Sequence, residues 1–168
     1  YNHIFITADE HQTLGDHNSK PDEIIFKSNY PEEEVVELTL NFRNTKQIVL
    51  FANMFFVPTF PDDKPYETAG DRDGELPILY KYRNNFHRII TRIINRHKEY
   101  PKRLIGILTP LNTIKDKYFN EITTQCNSNN IYRQWKDINH GEGGIAVINI
   151  QETKGLEFDE VFFADINK

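Results

Sequence analysis

Between Phe86 and His97 the apolar residues Phe86, Ile89, Ile90, Ile93 and Ile94, and then His97, stand at offsets of 0, 3, 4, 7, 8 and 11. Arg88, Arg92 and Arg96 occupy the other faces. Only an α-helix gathers those offsets into one stripe, and a stripe of that kind has to be covered by other structure. A run of β-strand character, Leu104 to Leu108, follows and is closed by Thr109-Pro110. Leu111, Ile114, Tyr118 and Ile122 then repeat the helical spacing. Helices alternating with short apolar strands form βαβ units, whose strands lie parallel with helices over the sheet. The expected fold class is therefore α/β, three-layered, with a mostly parallel sheet.

The remaining segments read less sharply. Ile4 to Thr7 is strand-like and runs into the polar cluster Ala8-Asp9-Glu10-His11-Gln12. Gly15 to Glu34, punctuated by Pro21 and Pro31, reads as a connector with Ile24-Ile25-Phe26 as a small apolar anchor. Val35 to Leu40 is a second strand. Thr45 is positioned to N-cap a helix that carries Ile48, Phe51, Ala52 and Phe55 on one face. Pro58 to Gly74 reads as a loop, Leu76 to Tyr82 as a strand and Ile131 to Trp135 as a short strand. Beyond the turn Gly141–Gly144, the two apolar runs ending at Ile150 and Ala164 are the final strands.

A hydrophobic share of 38%, with 12 Phe and 8 Tyr, places the chain among globular proteins. Its net charge of −5 argues against a surface that grips nucleic acid all round, while leaving room for a local groove. The single cysteine, Cys126, excludes an intrachain disulfide framework and fits a reducing compartment, so a cytoplasmic location is expected. The histidines lack metal-ligand spacing, and no metal site is expected. No apolar run is long enough for a membrane span, and no membrane partner is expected. Because the chain opens at Tyr1 directly into a strand-like run, it reads as a fragment of a longer polypeptide.

Three segments carry chemistry. Near the C-terminus a β-branched strand runs into Lys154-Gly155-Leu156-Glu157-Phe158, which puts a cation, a glycine and a carboxylate at a strand's carboxyl end. Ligand sites of open α/β sheets form there. Leu38 to Thr45 reads Leu-Thr-Leu-Asn-Phe-Arg-Asn-Thr, followed later by Ala52-Asn53. Asp9-Glu10-His11-Gln12 follows the first strand. In this order the three resemble motifs III, IV and V of the UvrD/Rep-like superfamily 1 DNA helicases. The resemblance spans the chain from end to end, with three departures: Ala8 stands where the family has Gly, the family's aromatic and Arg-Gly continuation is missing after Gln12, and Asn149 and Gln151 replace a Thr-x-His segment.

That resemblance implies a RecA-like, P-loop NTPase-like domain, with residues 1–34 ending the first RecA-like domain and 35–168 forming the second. It gives Arg43 the role of an arginine finger on the γ-phosphate of ATP and Gln12 that of a γ-phosphate sensor. Glu157 would accept from the ribose, Gly155 would permit close approach, and Lys154 would attract a phosphate or simply be solvated. Asn149, Gln151 and, more weakly, Thr109 would touch the backbone of single-stranded DNA. Trp135, with Tyr132 and Arg133, has the means to stack a base, although a half-buried strand aromatic is the plainer reading.

No Gly-x-x-x-x-Gly-Lys-Ser/Thr loop occurs. ATP and Mg²⁺ would therefore be held mainly by the missing N-terminal RecA-like domain of the same polypeptide, and the Mg²⁺ ligands would lie outside this chain. The fragment alone is expected to hydrolyse no ATP. An alternative from another class is a catalytically silent helicase-like module that docks nucleic acid or protein.

Overall fold

A computed structural model describes residues 21–28, 40–41, 43–58, 64–68, 72–81 and 86–165. Ile4–Thr7, Gln12 and the expected boundary between residues 34 and 35 lie outside them. The chain divides into two compact units, one holding residues 17–81 and the other residues 82–168. Each is considered by itself.

The first unit contains α1 (Pro21–Ser28), β1 (Leu40–Asn41), α2 (Lys46–Asn53) and β2 (Glu67–Thr68). The connector expected from 15 to 34 thus holds a helix. Its proline at the first helical position is favourable, because that N–H has no intrahelical acceptor anyway. β1, at the end of the expected 35–40 strand, pairs in parallel with β2, Leu40 with Glu67 and Asn41 with Thr68, and β2 lies inside what reads as a loop. The 76–81 run departs in the other direction. It forms no ladder among the described residues, and Leu76, Ile78 and Leu79 are exposed. Pro77 removes a ladder donor near the start of that run.

Thr45 does sit at the N-cap of α2, with extended φ and ψ, but its side chain makes no capping bond. The buried residue of α2 is Val49, whereas Ile48 and Phe51 stay partly open. Phe55, beyond the helix, meets Phe51 edge-on at 5.2 Å. Asn53 binds across to β2's approach, its Nδ2 donating to the Tyr66 carbonyl (2.9 Å) and its Oδ1 accepting from the Tyr66 N–H (3.1 Å).

The second unit is the α/β body that the sequence leads one to expect. α3 (Phe86–Glu99), β3 (Leu104–Thr109), α4 (Asn112–Gln125), β4 (Ile131–Tyr132), β5 (Gly144–Asn149) and β6 (Glu160–Phe163) follow in order. The four strands form an all-parallel sheet in the order β4-β5-β3-β6. Every residue of β3 is buried, as a central parallel strand requires. Ile105, Ile107, Ile145 and Val147 meet Ile90, Ile93 and Ile94 of α3 and Ile114, Tyr118 and Ile122 of α4 in one apolar cluster. Leu104, Ala146 and Tyr132 form a second cluster, covered by Ile138 and Phe158. The sheet is thus a middle layer.

Register is fixed where β5 begins. Gly144 has φ +129°, and a Cβ there would collide with the Asn130 carbonyl oxygen, so only glycine fits. Its N–H donates to the Arg103 carbonyl at 3.0 Å, and it pairs with Leu104. From there the ladder runs rung by rung to Thr109 opposite Asn149. On the far edge, Glu160 of β6 accepts Arg96 Nε through both oxygens (2.6 and 2.9 Å) and Arg103 Nη1 at 3.0 Å. Both guanidinium groups also lie over the Tyr100 ring, at 4.5 and 4.1 Å. Among the described residues no helix is long and apolar enough to cross a membrane.

Candidate functional site

Parallel strands bring their carboxyl ends to one edge of the sheet, and in the second unit that edge is lined with polar groups. Thr109 ends β3 and Asn149 ends β5 on the same rung. The Thr109 hydroxyl donates to Asn149 Oδ1 at 3.1 Å, with the Ile148 carbonyl at 3.3 Å as a second acceptor. Asn149 Nδ2 donates to Asn112 Oδ1 at 2.7 Å, at the first turn of α4. Two of the sequence-predicted site residues are therefore in direct contact. The Asn149 amide has its oxygen and one N–H engaged within the protein.

Beneath this pair lies an ionic contact that sequence reasoning missed. Lys115 of α4 is 8% exposed and donates from Nζ to Glu152 Oε2 at 3.0 Å. The same oxygen accepts the Asn149 backbone N–H at 3.0 Å. Burial alone would raise the Glu152 pKa, but the Asn149 N–H and the Lys115 ammonium outweigh it and hold the carboxyl below its ordinary value. A sequence signal for this was available, since Asn149-x-x-Glu152 has the spacing of a capping box.

Glu152 closes a 3₁₀ turn, Ile150–Glu152, which leads into the Lys-Gly-Leu-Glu-Phe segment. Thr153 bonds back to the Ile150 carbonyl, and the Leu156 N–H donates to Thr153 at 2.9 Å. At the other end Phe158 lies against Gly106 in the middle of β3. Asp159 Oδ2 accepts the Leu104 N–H at 2.8 Å, and the Asp159 N–H returns to the Leu104 carbonyl at 3.0 Å. The segment is pinned at both ends. Between the pins, Lys154, Gly155 and Glu157 are exposed. Gly155 has φ +80°, with open space where a Cβ would be. Gln151 is exposed in the turn above.

Among the described residues no group of three His, Cys, Asp or Glu side chains could hold a metal ion. Arg43 belongs to the first unit. It is exposed, and its N–H donates to Asn41 Oδ1 at 3.1 Å, as the Asn44 N–H does at 2.9 Å. Its carbonyl accepts Arg72 Nη1 at 3.1 Å. Asn41 thereby shapes the turn that presents Arg43 between β1 and α2. Gln12 lies outside the described residues.

Beside the polar edge, a shallow groove of about 670 Å³ runs between the start of α4 and residues 133–136. Arg133 reaches across it to Asp116, with Nη2–Oδ1 at 2.6 Å. Trp135 opens a 3₁₀ turn after β4 rather than ending a strand, and it is 55% exposed. Among known protein families, curated proteins and solved structures, comparison finds no match to this chain.

Proposed function

We propose that this chain is the second RecA-like domain of an ATP-dependent superfamily 1 DNA helicase or translocase. In that role it supplies Arg43 and Gln12 toward the γ-phosphate, the Lys154–Glu157 turn toward the ribose, and the Thr109–Asn149–Gln151 edge toward the backbone of single-stranded DNA. ATP and Mg²⁺ would be bound chiefly by a first RecA-like domain of the same polypeptide. The observation that carries the reading is the juxtaposition at one sheet edge. Thr109 and Asn149 share a rung, and the turn that begins just past Asn149 presents Lys154, Gly155 and Glu157 to solvent between two pinned ends. In open α/β sheets ligand sites form outside the carboxyl ends of the strands, which supports the reading.

ATP supplies the free energy. The chain's own contribution is to aim a guanidinium and a carboxylate at a ligand held elsewhere, and to hold DNA differently in two nucleotide states. The test is Arg43→Ala in the complete protein. ATPase turnover should fall by about 10³–10⁵ with nucleotide binding largely kept, the range for loss of an arginine finger. An unchanged rate removes the role given to Arg43, and the motor reading with it.

A further inference from the structure

The groove beside the polar edge has features that the strand-end residues do not account for. Trp135 belongs to neither apolar cluster of the unit. More than half of its surface is open, and among the described residues no ring or guanidinium stacks on it. An indole that contributes nothing to a core keeps a flat, exposed π-face. Around it the charges are sorted. Lys115 faces Glu152 at 3.0 Å and Arg133 faces Asp116 at 2.6 Å, so both carboxylates of the groove meet a cation. Lys136 is left as the surplus positive charge, with no ion pair among the described residues. Asn112 and Gln134 add amide donors and acceptors to the walls. The whole chain carries −5, whereas the groove lining carries three cations against two carboxylates, with Asp137 following Lys136 on the same turn.

We infer that this groove is a base pocket for single-stranded DNA, with Trp135 stacking one unpaired base and Lys136 holding the adjoining phosphate. A planar π-surface next to a cation matches a nucleotide in both of its parts, and stacking of this kind tolerates any base. The pocket deepens the nucleic-acid side of the proposed function and takes from it only the choice of DNA as the strand.

Trp135 is the only tryptophan of the chain, so its fluorescence reports on this pocket alone. Titrating the 168-residue chain with oligo(dT) should quench that emission to saturation. In parallel, the anisotropy of a labelled oligo(dT) should show Trp135→Ala binding about 5- to 150-fold more weakly, as loss of one stacked base predicts. Lys136→Glu should weaken binding and reduce the slope of log affinity against log salt by about one. Both positions are exposed, and unchanged circular dichroism would confirm that the variants fold. Binding without quenching, wild-type affinity in Trp135→Ala, or no binding at all overturns the pocket. These outcomes are separable from the motor reading, which stands or falls on the ATPase of Arg43→Ala in the complete protein.

Discussion

Phe158 lies flat against Gly106, so closely that a Cβ added to the glycine would sit 2.8 Å from Cγ and Cδ1 of the ring. The aromatic residue at the end of the Lys-Gly-Leu-Glu-Phe turn is thus seated on the central strand of the sheet, and the missing side chain makes the seat. Gly106→Ala must push the ring away, and overpacking of this sort costs about 1–3 kcal/mol. Phe158→Ala empties the seat and should cost less than the roughly 3–5 kcal/mol of a fully buried aromatic, because the ring is half-buried. The double variant should be less destabilised than the sum of the two, since the alanine at 158 removes the clash. Urea denaturation of the four proteins measures this, and strict additivity would show that the two residues do not interact.

The Lys115–Glu152 contact predicts an acid-sensitive turn. Glu152 titrates below its ordinary value of 4.5 in the folded chain. Its contribution is therefore present above the unfolded pKa and is lost as pH falls through the folded one. Stability should drop below about pH 4.5, and Glu152→Gln should flatten that part of the profile. Lys115→Met should cost about 1–3 kcal/mol at neutral pH. That is less than a fully buried broken pair, because Glu152 is one-third exposed.

His97 gives a separate step at higher pH. It is 8% exposed, its Nδ1 has no hydrogen-bond partner among the described residues, and Nε2 lies 3.3 Å from Ser128 Oγ. Burial pushes its pKa below the ordinary 6.5. The unfolded chain then takes up this proton first, so stability falls as pH drops below 6.5 and levels off once the folded chain protonates too. Chemical denaturation at pH 7.5, 6.5 and 5.5 should show the loss in the parent chain and a flatter profile in His97→Gln (about one unit either side of the reference value).

Glu160 ties β6 to the C-terminal end of α3. Glu160→Gln should cost about 1–3 kcal/mol, the worth of hydrogen bonds to a charged group. Arg96→Ala should hurt more than Arg103→Ala, because Arg96 reaches both carboxylate oxygens and is the less exposed of the two. Thermal unfolding of the three variants would reverse that ranking if the exposed arginine dominated.

The periodic segments were readable because burial leaves a repeating mark. The Phe86–His97 stripe became α3, the Leu111–Ile122 stripe α4, and the β-branched runs the central strands. Elsewhere the mark was weak or misleading. α1 has too few apolar residues to announce a helical face, and Leu76–Tyr80 has strand-like composition but joins no ladder among the described residues. In α2 the sequence favours Ile48 and Phe51 as the covered face, whereas Val49 is the covered residue. At the candidate site, strand ends placed Thr109 and Asn149 correctly at one edge. Their mutual contact and the buried Lys115 depend on partners some 37–40 residues away, a separation that local patterns cannot span. Trp135 looked like a strand residue because the turn after Tyr132 carries no glycine or proline to mark it.

The tight glycine entry to β5 has an effect at the opposite end of the strand. Gly144 sets which residue of β3 each residue of β5 faces, and that choice is carried without a bulge for five steps, roughly 17 Å at the usual strand rise, to the Thr109–Asn149 rung. A slip of a single residue there would turn every side chain of β5 to the other face. The hydroxyl and amide would part, and Glu152 would leave Lys115. A bulky substitution at 144 should therefore disable the far edge without touching it, much as a misaligned first tooth spoils the whole length of a zip.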